Sequence, residues 1–543
     1  MQISKIHWPL FLLIFCFISL WNLGINDIWM KNEALYAESV REMIELDSYI
    51  VPYYNYEPRL HKPPITYWSI IASVKLFGLN EFAIRFPMFL FGLLSLLFTY
   101  KLARIYFDKK VAFFSVLAVA FTPMFIGNIR YSSPEMPLLF FFTATLYFFL
   151  KGYILKDTKH FILFYIFLGL TVLTKGYPYY IIIGFIVFIF LCFDTKCSFK
   201  TLGQKIKSLH LPLGIVISIV IGGWWYLYTF LDQGIYFLKV IEKETVHRAT
   251  DYKNILEQLK PFYYIKVLFW AFLPFVWISF LAIAYAVKHK QKNFLFFFSW
   301  IFGMYIIFTL SAGKIPNYFL QAFPPLAIFS AYLLCSESQL KNLWKVLYIL
   351  ALILPSIYIG IYLLYGVVNL GTGIYILIIS LLIAGFLIFK KETVYIPFVF
   401  VISFYMYLVV SVAPIIEKYR PYKEIGTIIK TAVPDESIPI FVEDKSLNNL
   451  IFYTGKKLYG KMNIDEIKKY KIPYIAVIYE KNLKEIEKSK ILWCGYIYKK
   501  RGDSRILTLL KYVIKAEKGD MSGFDRMCVV YKKGEKDGGN YNP

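Results

Sequence analysis

The sequence predicts a polytopic α-helical membrane protein with a small extracytoplasmic α/β domain at its C-terminal end. Three observations support this fold class. The 543 residues are 58% hydrophobic and only 18% charged, with a mean hydropathy of +0.54. Charge-free runs such as FLLIFCFISLW, YIIIGFIVFIFLCF and IYILIISLLIAGFLIF approach the roughly 20 apolar residues that a helix needs to cross a bilayer core. Towards the C-terminus the apolar runs shorten to strand length and alternate with amphipathic pieces.

Backbone groups in lipid must bond internally, so the long runs are read as helices. Hydropathy gives about thirteen spans, near 8–24, 82–100, 111–127, 135–150, 161–174, 177–193, 211–230, 266–287, 294–310, 318–335, 346–365, 372–389 and 394–413. The first run, Trp8 to Leu23, follows Lys5 and lacks a small-residue cleavage site, so it is read as a retained span.

The formal net charge of +24 does not point to nucleic acid, because of where the charges fall. Basic residues fill every second loop: Lys101, Arg104, Lys109 and Lys110, then Lys151, Lys156 and Lys159, then Lys196 to Lys207, then Lys288 to Lys292, then Lys341 and Lys345, then Lys390 and Lys391. That alternation places these loops in the cytoplasm. With an odd number of spans and a cytoplasmic N-terminus, three polar pieces share the outer face. They are a first loop over about 25–80, a second over about 231–260, and the tail from about 417.

The first loop carries two helical patterns. NEALYAESVREMIEL has apolar and small residues at helical spacing without Pro or Gly. PPITYWSIIASVKLF begins with proline, where a missing N–H costs nothing. Tyr67 and Trp68 suit the headgroup level, which predicts a helix lying in the interface. In the tail, KEIGTIIKTAV, IPIFVE, SLNNLIFY, PYIAVIYE, KNLKEIEK, ILWCGYIY and MCVVYKK alternate helix and strand patterns, and GEKDGGNYNP reads as disordered. The domains expected are 1–415 in the membrane, 416–533 as the outer α/β domain, and a 534–543 tail. Cys16, Cys192, Cys197 and Cys335 lie in or beside spans and read as core thiols. Cys494 and Cys528 share the outer domain and pair if the compartment is oxidising. Cys192 and Cys197 lack two further ligands for zinc.

Polar residues gather at the outer rim of the predicted bundle: Asn32, Glu33, His61 and Lys62 in the first loop, Arg130 and Glu135 in RYSSPEMP, Lys175 in LTKGYP, Glu244, His247 and Arg248 in the second loop, and Lys314 and Tyr318 in SAGKIPNY. The span centres are almost free of ionisable groups. A transporter or flippase would place charges there, so an active site at the outer membrane surface is favoured. Cations at headgroup level stabilise a phosphate leaving group, and a nearby carboxylate accepts a proton from an attacking hydroxyl. Sugar transfer from a lipid-phosphate donor requires that combination. His61 and His247 are the histidines of the outer loops and are candidate ligands for a divalent metal or a phosphate.

The motifs WMKNEALYAESVREM, RLHKPPITYW, RYSSPEMPLLFF, GLTVLTKGYPYY, GGWWYLY, EKETVHR and FTLSAGKIPNYFLQAFPPLA, in this order, resemble the bacterial membrane glycosyltransferases related to aminoarabinose transferase and protein O-mannosyltransferases. The resemblance covers nearly the whole chain and implies the GT-C fold with two interface helices in the first loop. It implies a polyprenyl-phosphate-linked sugar donor and a glycolipid, glycan or protein acceptor at the outer face of a bacterial plasma membrane. It also implies roles: Glu33 and Glu135 for acceptor activation, and Lys62, Arg248, Lys314, Tyr318, Lys175 and Arg130 for the donor phosphate. Asn32, His61 and Glu244 complete the expected site. The chain departs from the family pattern in four places. Asn32-Glu33 stands where Asp-Glu is usual, and Glu135 where Asp is usual. His61 stands where aminoarabinose transferases have a metal-binding Glu, and Thr245 where they have its partner histidine. A catalytically degenerate scaffold is the alternative that the Asn32 departure keeps open.

Overall fold

The computed structural model describes residues 7–247, 260–336, 370–390, 395–499 and 506–534. Among them, seven helices are long and apolar enough to cross a membrane, or eight if the bent pair Lys109–Ala120 and Pro123–Ile129 forms one span. His7–Leu20, Pro178–Asp194 and Val276–Lys288 are shorter apolar helices. The expected span at 346–365 lies outside the described residues, while every other expected span falls on helix. The chain is a multi-pass membrane protein.

The first eleven helices are α1 (His7–Leu20), α2 (Asn32–Glu45), α3 (Ile65–Phe77), α4 (Glu81–Tyr106), α5 (Lys109–Ala120), α6 (Pro123–Ile129), α7 (Glu135–Leu155), α8 (Thr158–Lys175), α9 (Pro178–Asp194), α10 (Phe199–Lys207) and α11 (Leu211–Ile241). Polar side chains start several of them. Asn80 caps α4 by accepting from the Ala83 N–H at 2.9 Å, and Asp108 caps α5 by accepting from Val111 at 2.8 Å. The α8–α11 crossing depends on small residues. A β-carbon at Gly169 would meet the Ser218 carbonyl at 2.9 Å, and one at Gly222 would meet the Gly169 carbonyl at 2.8 Å. Without a hydrophobic force between helices in lipid, such close backbone approach is what holds them together.

In the first loop, α2 and α3 form where the pattern predicts. The environment of α3 differs from the expectation. Tyr67 is fully buried, 4.9 Å from the Tyr36 ring, and its hydroxyl accepts from Arg59. A cation from the same loop therefore takes the place of lipid headgroups. Trp68 does lie half-buried and stacks on Trp224 at 6.1 Å, while its indole donates to the Tyr49 carbonyl.

The C-terminal domain, the outer domain of the sequence expectation, is a five-stranded sheet in the order β4-β3-β5-β7-β6. Its strands are β3 (Ile440–Glu443), β4 (Leu458–Met462), β5 (Tyr474–Tyr479), β6 (Ser489–Tyr498) and β7 (Phe524–Lys532), numbered after the two short strands Tyr53–Tyr54 (β1) and Glu57–Pro58 (β2). β3 pairs in parallel with β4 and β5, and β7 runs antiparallel between β5 and β6. The tail patterns fall on these strands and on Tyr422–Ala432, Asn449–Thr454 and the 3₁₀ turn Glu480–Glu485. β4 and the helix Ile506–Glu517 had no counterpart in the sequence reading. GEKDGGNYNP lies outside the described residues except for its first glycine. Cys494 faces Cys528 across the β6–β7 pair, and the two form a disulfide.

Candidate active site

The site begins with the extended segment Asn26–Trp29, between α1 and α2. Arg85, in the second turn of α4 and only 1% exposed, donates to the carbonyls of Leu23 and Asn26 at 2.8 Å and of Asp27 at 3.0 Å. The rest of its guanidinium forms a two-pronged pair with Glu33, at 2.8 Å on each side. Glu33 is fully buried in the first turn of α2, where the helix dipole favours a carboxylate. It also accepts from the Trp29 N–H at 2.8 Å and the Ser132 N–H at 2.9 Å. Its backbone N–H donates to the Tyr131 hydroxyl at 3.1 Å. With four donors on two oxygens, this carboxylate has no lone pair directed at a reactant. Two of its partners, Tyr131 and Ser132, lie in the turn that leads into α7, so it fixes the approach to Glu135.

Glu135 is the first residue of α7, and Lys175 the last of α8. Their packing brings the Lys175 ammonium to 2.7 Å from both carboxylate oxygens. Each side chain is about a tenth exposed. The same ammonium lies 5.1 Å from the centre of the Tyr318 ring, which stacks on Phe308 at 5.2 Å. Three of the expected residues, contributed by three separate motifs, thus form one cluster. A second contact joins the two outer loops: Lys62 donates to Glu244 at 3.3 Å.

Other expected residues are placed differently. Arg130 donates to the carbonyls of Ile18, Ser19, Trp21 and Asn22 at 2.9–3.1 Å. It caps the C-terminal end of α1, whose last carbonyls have no partners within the helix. Lys314 caps the helix Leu295–Leu310 in the same way, through the carbonyls of Phe308, Thr309 and Ser311. Burial, with Lys260 nearby, lowers its pKa below the ordinary lysine range. Both were expected at a phosphate, and both are instead held by backbone oxygens. Asn32 and His61 are exposed. Arg248 and the side chain of His247 lie outside the described residues. Among the described residues no three His, Cys, Asp or Glu side chains gather as metal ligands, and the side chain of His247, one of the two candidate ligands, lies outside them.

Three arginines were missed. Arg85 looked like an ordinary charge at the start of a span. Arg59 opens the RLHKPP motif, and its guanidinium lies 5.2 Å from the Tyr36 ring centre. Burial holds the Tyr36 hydroxyl well above its usual pKa; Tyr67 and Glu135 add to this and Arg59 opposes it. The adjoining aromatic residues, Tyr36 and Tyr67, were the available signal.

Arg420 is the third, and it locks the outer domain to the first loop. It donates to the carbonyls of Asp27 at 3.0 Å and Ile28 at 3.1 Å, pairs with Glu417 at 3.0 Å, and lies 3.7 Å from the Trp29 ring centre. Met30 inserts into the outer-domain core beside Tyr422 and Ile425. Asp27 sits at this joint, with its carboxylate accepting from the Lys423 N–H at 2.8 Å. Burial, and then the Glu417 carboxylate, push its pKa up to about 7. The folded state therefore binds this proton more tightly than the unfolded chain does. Stability should rise as the pH falls from 8 through 7 towards 5, by an amount on the order of 2 kcal/mol. Melting curves across that range are the check, and Asp27→Asn should flatten the slope.

The family described as dolichyl-phosphate-mannose-protein mannosyltransferase matches residues 61–225. An uncharacterized protein of Aquifex aeolicus is 32% identical over 453 residues, 83% of this chain and 86% of that protein. The undecaprenyl phosphate-alpha-4-amino-4-deoxy-L-arabinose arabinosyl transferase of Wigglesworthia glossinidia brevipalpis is 27% identical over 65% of this chain. The crystal structure of ArnT from Cupriavidus metallidurans bound to undecaprenyl phosphate superposes with a TM-score of 0.77 at 19% identity, covering 97% of this chain and 98% of that one. The chain has the GT-C fold. The match spans 63% of the arabinosyl transferase's own length. The matched family segment contains Lys62, Glu135 and Lys175, while Glu33, Glu244 and Tyr318 lie outside it.

Proposed function

We propose that the chain transfers a sugar from a polyprenyl-phosphate donor to a hydroxyl or amine of a cell-envelope acceptor, a glycolipid, glycan or protein. The observation that carries this reading is the Glu135–Lys175 pair beneath Tyr318, at the end of two membrane helices. In this reading Glu135 accepts the proton of the attacking group. The acceptor oxygen or nitrogen bonds to the anomeric carbon as the bond to the phosphate oxygen breaks. The electron pair leaves on the phosphate, and Lys175 and Lys62 stabilise the charge that develops there. Arg59 replaces Arg130 and Lys314 as a third cation for the donor. Glu33 acts through Ser132 and Tyr131 as a positioning residue.

Residues 1–415 form the transfer domain and 416–533 the outer domain, with the N-terminus cytoplasmic and the outer domain extracytoplasmic in a bacterial plasma membrane. The alternating basic loops and the Cys494–Cys528 disulfide support that topology, because disulfides persist in oxidising compartments. The test uses the purified protein in lipid with a panel of labelled polyprenyl-phosphate sugars and cell-envelope extract as acceptor. Turnover of one donor, with release of polyprenyl phosphate, is expected. No turnover with any donor would overturn the reading in favour of a degenerate scaffold.

A further inference from the structure

The outer domain holds a cavity of about 610 Å³ that shares no residue with the site above. It opens where Asp444 follows β3, where Tyr479 ends β5, and where Asp525 and Arg526 begin β7. From β3 the chain passes through the helix Asn449–Thr454 to β4, on one side of the sheet. From β5 it passes to β6, on the other side. Neighbouring parallel strands whose connections leave in opposite directions open a crevice at their carboxyl ends, and open α/β sheets bind ligands there. Topology and cavity identify the same place. The volume falls within the roughly 300–1,000 Å³ usual for small-molecule sites.

The lining defines the ligand. Tyr479 presents a half-buried ring, with the ammonium groups of Lys481 and Lys445 at 5.4 Å and 5.9 Å from its centre. Lys445 is 7% exposed; its ammonium pairs with Asp525 at 2.8 Å and donates to the Tyr498 carbonyl at 3.2 Å. Arg526 pairs with Glu480 at 3.1 Å. Once these two pairs are set aside, the charged lining is Asp444, Lys481 and Lys499, one positive charge in excess. Asp444 is held in the left-handed region at φ 50°, a conformation that aspartate tolerates better than most residues. Glu443, buried beside it, accepts from the Tyr479 N–H at 2.8 Å and from the Asn482 amide, which ties the two strand ends together.

A sugar ring offers a C–H face for an aromatic ring and a rim of hydroxyls that both donate and accept. This lining provides an aromatic face with ammonium and carboxylate groups around it, and its excess positive charge favours an anion. We infer that the cavity binds a saccharide carrying an anionic group, a phosphate or a carboxylate. The inference rests on the outer domain alone and does not depend on the transfer reaction.

The test is calorimetric titration of the full chain in lipid nanodiscs with glucose 1-phosphate, glucuronate, glucose and inorganic phosphate. At least one of the two anionic sugars should bind saturably, with glucose and inorganic phosphate each about 10-fold weaker. Lys481→Ala with Lys499→Ala removes two exposed cations without touching the domain core and should weaken the anionic sugar about 10-fold. Glu135→Gln should bind as the parent does, so this inference and the transfer reading fail separately. Three results would overturn it: no saturable binding of either anionic sugar, inorganic phosphate binding as tightly as glucose 1-phosphate, or affinity unchanged in the double lysine variant.

Discussion

Glu135→Gln should lower sugar transfer about 10²–10⁴-fold while leaving the melting temperature nearly unchanged. The range is that of a lost general base. The amide is isosteric with the carboxyl and can still accept from Lys175, so the packing of α7 against α8 should survive. Glu135→Asp retains a base displaced by one methylene and should recover part of the rate. Lys175→Ala should cost a comparable factor, because it removes both the partner of Glu135 and a cation for the leaving phosphate. The double variant should be little worse than either single one, since residues acting as a unit are not additive. Initial rates of polyprenyl-phosphate release, measured beside thermal melts, are the check. A Glu135→Gln enzyme with more than about a third of the parent rate would remove Glu135 from the chemistry.

Arg85→Ala should act on the fold. It leaves the buried Glu33 carboxylate without its cation and three carbonyls, of Leu23, Asn26 and Asp27, without their donor. Breaking a buried, fully hydrogen-bonded pair costs about 3–5 kcal/mol. Arg85→Lys should recover little, because one ammonium cannot reproduce a planar fork that serves five contacts. Glu33→Gln combined with Arg85→Ala should be less damaging than Arg85→Ala alone, because no buried charge is then left unpaired. Thermal unfolding in lipid decides this. A loss below about 1 kcal/mol for Arg85→Ala would mean that the segment Asn26–Trp29 is held by other contacts.

Some of this site could be read along the chain. Glu135 and Lys175 flank apolar runs in RYSSPEMP and LTKGYP, which made both candidates without revealing that they pair. Glu33 was recognised, but its task was not. Nothing local in NEALY reveals that an arginine 52 residues onward will occupy its carboxylate. Arg130 and Lys314 illustrate the opposite case. As cations on the outer rim they resembled phosphate ligands, yet each faces the open C-terminal end of a helix. Carbonyls at such an end need donors as much as a phosphate does, and sequence spacing does not show which of the two lies within reach. In the outer domain, short apolar runs of strand length marked β3, β5, β6 and β7. β4 was hidden because LYGKM carries glycine and lysine on a half-exposed edge strand, where burial imposes little pattern.

The sequence by itself determined the solvent. Long apolar runs leave no alternative to helices in lipid, because that effect is a sum over many residues and needs no partner. Only the tertiary structure decided which polar residues work together. A buried charge is stable only against a specific partner, and the partners here come from distant parts of the chain: Glu33 with Arg85, Glu135 with Lys175, and Arg420 with the backbone of the first loop. Helix packing brings them together, and contact between residues far apart in sequence is what a one-dimensional pattern does not encode.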